Sequence, residues 1–179
     1  YLSALFSGGP TGAPALLFNS TVGNAAAGLT GLEFKLRGPN ATISHKEASS
    51  LAAIVTAVDL LRLGRADALV AGGIDSIYDL FYRVHDRFGV MNRATEAGAS
   101  TAPFDGGRGG FVLGEGAGMV VLETLEHAQA RGATILAEVV GYGSTADAFR
   151  ITDQDPEGRG AIVAMQEALA DAKLTPADV

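Results

Sequence analysis

Between residues 47 and 63, Leu51, Ala52, Ile54, Val55, Val58, Leu60 and Leu61 place apolar surface on nearly every face of a helix. One turn later the run Ala68-Leu69-Val70-Ala71 is apolar without alternation. A helix that is apolar all round is stable only when covered on most sides. A continuous apolar run of strand length is buried on both faces. Together they demand a layered α/β arrangement with this helix at its centre. They predict Leu51, Ile54 and Val58 in a core, Glu47 in the first helical turn, and a strand that stops at Gly72-Gly73.

The rest of the chain alternates in the same way. The spacing predicts a helix over 18–34 with capping candidates Asn19, Ser20 and Thr21, and a short strand over 40–44 after the Gly38-Pro39 break. Further helices are predicted near 80–88, over 125–131 and over 160–173, the last with Ile162, Met165, Leu169 and Ala172 on one side. Strands are predicted over 117–123 and 135–142, and a glycine-rich loop over 106–110. Glycines at 114, 116 and 118 beside a strand signal a bend or a close backbone approach. Such alternation implies a layered α/β domain spanning 1–179.

Composition removes several function classes. A chain of 179 residues with 47% hydrophobic content is long enough for a core. Thirteen basic against 20 acidic residues, a net charge of −7, disfavour nucleic acid and anionic lipid as partners. There is no Cys, so thiol catalysis, disulfides and thiolate metal sites are excluded within these residues. No apolar run reaches the roughly 20 residues a membrane helix needs, and a cytoplasmic location is expected. The chain does not begin with Met, and Val179 follows closely on a predicted helix, so a piece of a longer polypeptide is expected.

Two blocks carry the functional argument. One is residues 103–118, Pro-Phe-Asp-Gly-Gly-Arg-Gly-Gly-Phe-Val-Leu-Gly-Glu-Gly-Ala-Gly; the other is residues 38–50, Gly-Pro-Asn-Ala-Thr-Ile-Ser-His-Lys-Glu-Ala-Ser-Ser. With Asn24 and Gly28, Leu36-Arg37 before the second block, the run 66–73, the run 137–143 and Asp147-Ala148, they resemble in order and spacing the β-ketoacyl-acyl carrier protein synthases. These are the condensing enzymes of fatty-acid and polyketide assembly. The resemblance implies a thiolase-like five-layer αβαβα sandwich, of which this chain is most of the first half and the start of the second. It implies acyl carrier protein, with its phosphopantetheine-bound acyl chain, as a partner. It also implies a homodimer, or a heterodimer with a catalytic ketosynthase.

The resemblance places a catalytic Cys where this chain has Glu47. A thiolate forms readily at a helix N-terminus and is both a good acyl acceptor and a good leaving group. Carboxylate attack on a thioester gives a mixed anhydride instead, so Glu47 is not expected to load an acyl group. Three roles stand open. Ser44-His45-Lys46-Glu47 fits a capping box in which Glu47 reaches back to Ser44. Glu47 could fill the acyl pocket of a silent partner subunit, as Gln does in chain-length-factor subunits. Or Glu47, protonated in a dry pocket, could promote decarboxylation of a malonyl thioester, burial raising its pKa against the helix dipole.

Other candidates are weaker. The resemblance makes Asp105 and Arg108 a structural ion pair in a loop near the site. It puts Asp147, Arg150 and Thr152 where the family's loop approaches the pantetheine tunnel, with Arg150 in place of the usual His. None of His45, His85 or His127 matches the family's active-site histidines. His45 and Lys46 read as turn residues, and His85 and His127 as members of polar helix faces. No third ligand stands near His45 and Glu47, and no Gly-Lys-Ser/Thr follows the glycine-rich block, so neither a metal nor a nucleotide cofactor is expected.

Overall fold

The computed structural model describes residues 1–92 and 101–179. The elements run α1 (Leu2–Gly8), α2 (Ala15–Phe18), α3 (Ala25–Glu33), α4 (Ser49–Arg62), β1 (Ala68–Asp75), α5 (Asp79–Phe88), β2 (Gly116–Glu123), α6 (Leu125–Ala130) and α7 (Arg159–Ala172). They fall into two units, Tyr1–Ile54 with Leu69–Leu122, and Val55–Ala68 with Glu123–Val179.

In the first unit β1 and β2 form a two-stranded sheet. A Cβ on Gly72 would lie on the Gly118 carbonyl and 2.9 Å from the Met119 Cα, and one on Gly73 would lie 2.8 Å from the Ser50 Cβ. That is why β1 continues through both glycines to Asp75 instead of ending at them. The glycines admit β2 from one side and the start of α4 from the other, a close approach and not a chain break. Just before β2, Glu115 accepts the Ile77 N–H at 3.0 Å and so ties the loop after β1 to the strand's approach. Phe111 pairs with the segment around Met91, accepting the Asn92 N–H at 2.8 Å. Its ring meets the His85 ring edge-on at 6.1 Å between centroids, and His85 is tilted against Phe81 at 4.3 Å.

The helix expected over 18–34 is split. Thr21 donates its hydroxyl to the Phe18 carbonyl at 2.7 Å, so the polar triplet 19–21 ends α2 in a turn instead of capping one long helix. Residues 40–44 form no strand; Asn40 instead donates to the Ala27 carbonyl of α3 at 3.0 Å.

In the second unit the later half of α4 contributes Ala57, Val58 and Leu61 to the buried core. Leu51 at the other end of the helix is 67% exposed, and Ile54 is half-buried, so the expected cover on most faces is not supplied by these residues. Residues 135–142 lie outside any ladder, and Leu136 is exposed. An apolar run becomes a strand only beside another strand that accepts its hydrogen bonds. Here its neighbour is a helix. A Cβ on Gly143 would sit 2.7 Å from the Ala164 carbonyl carbon, and one on Gly141 2.6 Å from the Ala172 nitrogen. The packing face of α7 is therefore the small-residue line Ala164, Ala168 and Ala172, while Ile162 and Met165 of the expected face are exposed.

Polar contacts complete this unit. The Tyr142 hydroxyl donates to Asp59 at 2.5 Å, which raises the phenol above its ordinary pKa. Arg62 reaches Asp171 at 3.1 Å with its guanidinium 5.6 Å from the Tyr142 ring centroid. Thr124 caps α6 by accepting the His127 N–H at 3.3 Å. Glu123 accepts from Arg131 and, at 2.6 Å, from His127, so His127 belongs to an ionic cluster and not merely to a polar face.

Candidate functional site

Glu47 stands at the entry to α4. The chain turns over residues 45–49, with Ala48 N–H on the His45 carbonyl at 3.2 Å and Ser49 N–H on the Lys46 carbonyl at 3.1 Å. Lys46 takes φ 51°, the left-handed region that residues with a Cβ avoid. The Ser49 hydroxyl closes the turn from inside: it accepts the His45 N–H at 2.9 Å and donates to the Lys46 carbonyl at 2.6 Å. The first helical residue is Ser49, so Glu47 precedes the helix and does not reach N3 of a box capped by Ser44. The capping-box expectation is corrected on this point. The hydroxyl that organises the turn comes from Ser49, four residues after His45.

Beside this turn is an open cleft of ≈ 340 Å³. Lys46, Glu47, Ser49 and Ser50 line it from the helix entry, Gly73, Ile74 and Asp75 from β1, and Gly116 and Gly118 from β2. One ammonium and two carboxylates thus share the lining with three glycines. Glu47 is exposed. The cleft offers shape, two carboxylates and backbone, with no thiol and no imidazole among the described residues that line it.

Asp105 and Arg108 do not line this cleft. Arg108 donates through its guanidinium to the Asp105 backbone carbonyl at 2.9 Å, and the Asp105 carboxylate accepts the Gly107 N–H at 2.6 Å. The expected ion pair is a side-chain clasp on a tight turn. A carboxylate two residues before a glycine N–H closes an Asx turn more readily than it reaches a flexible guanidinium.

In the second unit Asp147, Arg150 and Thr152 share one loop. The Asp147 carboxylate accepts the Asp155 N–H at 3.1 Å and lies against Gly160, where a side chain would collide with it. Arg150 pairs with Asp153 at 3.2 Å and lies over the Phe149 ring at 5.3 Å; Thr152 is exposed. The buried member of the loop is Asp155, whose carboxyl is held below its usual range by Arg159 at 2.6 Å. Neither Asp155 nor Ser49 stands among the site candidates that the sequence offers. The available signals were an Asp four residues before an Arg at a helix start, and a Ser four residues after a turn's first donor.

Comparison with known proteins bears on what this site is. The Beta-ketoacyl synthase N-terminal domain matches residues 7–128, and the Beta-ketoacyl synthase C-terminal domain matches residues 136–179. The 3-oxoacyl-[acyl-carrier-protein] synthase 2 of Rhizobium meliloti is 45% identical over 160 residues, which are 87% of this chain and 38% of that protein. The backbone overlays a type II polyketide synthase ketosynthase solved in complex with its acyl-carrier protein and bound to the hexaketide. The TM-score is 0.88 at 31% identity, covering 96% of this chain and 43% of that one. It also overlays the ishigamide ketosynthase/chain length factor with a TM-score of 0.86 at 29% identity, covering 99% and 43%. The chain therefore spans about two fifths of the proteins it matches. The thiolase-like α/β sandwich expected from the sequence is the fold of these neighbours. With both domain models matched in order along 7–179, the chain belongs to the β-ketoacyl synthase family.

Proposed function

We propose that this chain is part of a nucleophile-lacking ketosynthase subunit that pairs with a catalytic ketosynthase and shapes the acyl tunnel during fatty-acid or polyketide assembly. The observation that carries this reading is the absence of Cys from the chain, with Glu47 taken as standing at the family's nucleophile position. A carboxylate there cannot hold the acyl thioester through which condensation passes. Support also comes from the likeness to a ketosynthase/chain length factor. Acyl carrier protein would then dock on the assembled pair, with Asp147, Arg150 and Thr152 as tunnel-mouth candidates.

The test is intact-protein mass spectrometry of the full-length protein with its cognate ketosynthase and acyl-carrier thioesters. The partner gains the acyl mass and this subunit gains none; a stable acyl adduct on this subunit overturns the reading. A parallel arm blocks the partner's nucleophile and measures carbon dioxide released from malonyl-carrier protein. Glu47→Gln leaves release unchanged if Glu47 acts by shape alone. A fall of roughly 100-fold with the complex intact would instead make Glu47 an acid or base.

A further inference from the structure

Two features that the nucleophile's absence leaves without purpose are still built into the turn before α4. Lys46 is held at φ 51° although it carries a side chain, and the Ser49 hydroxyl spends both its donor and an acceptor lone pair on the same turn. A turn needing only to connect two segments would relax Lys46 to a negative φ, because nothing in connectivity requires a left-handed residue there. The turn is also wedged from below. Gly73 of β1 lies where a Cβ would come within 2.8 Å of the Ser50 Cβ, so the first residues of α4 rest directly on strand backbone.

We propose that Ser49 is a positioning residue. Its hydroxyl locks Lys46 in the left-handed conformation and thereby fixes the direction in which the side chain of residue 47 enters the cleft. This rests on the partner-subunit reading only in taking residue 47 as the side chain presented to the acyl tunnel. The hydroxyl holds the donor before Lys46 and the acceptor of Lys46 itself, so the strained φ lies between two bonds to one oxygen. Loss of that oxygen frees the His45 N–H and leaves the Lys46 carbonyl with the Ser49 N–H alone, at 3.1 Å. The turn then relaxes, and residue 47 loses its fixed place relative to the start of α4.

The test uses a thiol reporter in the full-length protein. Glu47→Cys is alkylated with iodoacetamide across pH 5 to 10, and modification of residue 47 is followed by peptide mass spectrometry. A thiol held at the start of α4 titrates below the ordinary value of about 8.5. Adding Ser49→Ala is expected to raise the midpoint by about one pH unit. The decisive arm repeats the pair in a Lys46→Gly background, where glycine adopts φ > 0 without strain. There Ser49→Ala is expected to shift the midpoint by less than about a third as much. Comparing within each background cancels the charge lost with Lys46.

Equal shifts in both backgrounds, or none in either, overturn the proposal. If Ser49→Ala also lowers the Tm, Lys46→Gly is expected to recover most of the loss, and an equal loss in both backgrounds overturns it as well. The thiol titration is independent of acyl chemistry. An acyl adduct on the unmodified subunit would therefore sink the partner reading and leave this result standing.

Discussion

Glu123 shows most clearly how single side chains are tied down. Arg131 and His127 converge on its carboxylate, whose side chain is only 9% exposed, and the hydrogen bond from Arg131, then that from His127, lowers its pKa from the ordinary 4.5 to about 2. A carboxyl whose folded pKa is depressed stabilises the fold above its unfolded value and loses that contribution as protons bind the folded state. The cluster's contribution is thus complete above about pH 4.5 and is lost between there and about pH 2. In thermal melts of the full-length protein over that window, the parent is expected to lose an increment of Tm that Glu123→Gln lacks. Parallel curves would show that the cluster is ionically idle. Asp155 is a second acid of this kind, kept ionised at the start of α7 by Arg159 and by the Glu157 N–H.

Elements were legible in the sequence where the signal is local and failed where it is not. Helices α5, α6 and α7 and strand β2 begin and end within a residue or two of expectation, since periodicity and flanking glycines are properties of the segment itself. The runs 40–44 and 135–142 have strand composition, but a strand is a relation to a neighbour, and the described neighbours are α3 and α7. The candidate at position 47 was legible from motif order. The Ser49 clasp was not, because a serine that bonds backward into a turn looks like any other first-turn serine. Gly72-Gly73 have the composition of a stop and form a seat, which only the partner backbone reveals. Gly72→Ala is therefore expected to destabilise by about 2 kcal/mol or more, since the clash is with backbone that cannot rotate away. Gly143→Ala is expected to cost about 1–3 kcal/mol by lifting α7. Urea unfolding of the full-length variants checks both, and midpoints within error of the parent would show that the contacts give way.

At the scale of the molecule, apolar surface exceeds what these residues cover. The buried apolar set among the described residues is Ala57, Val58, Leu61, Ala71, Met91 and Ala128, while Phe6, Leu16, Leu136 and Ile151 are each more than four-fifths exposed. Surfaces of that kind bind partners or aggregate. The 179-residue segment expressed by itself is expected to bind a hydrophobic dye strongly and to self-associate in sedimentation, and the full-length protein to do neither to the same extent. A dye-silent monomer of the segment would contradict this. The alanine line of α7 against Gly141 and Gly143 follows a different thermal law. Alanine and glycine surrender no side-chain rotamers when they pack, and they remove little hydrocarbon from water, so this joint contributes almost nothing to the heat capacity of unfolding. Cooling weakens contacts made by burying large apolar side chains. In a cold solution the seam between α7 and residues 141–143 is expected to outlast the contacts around Leu61, and local opening of the protein to begin elsewhere.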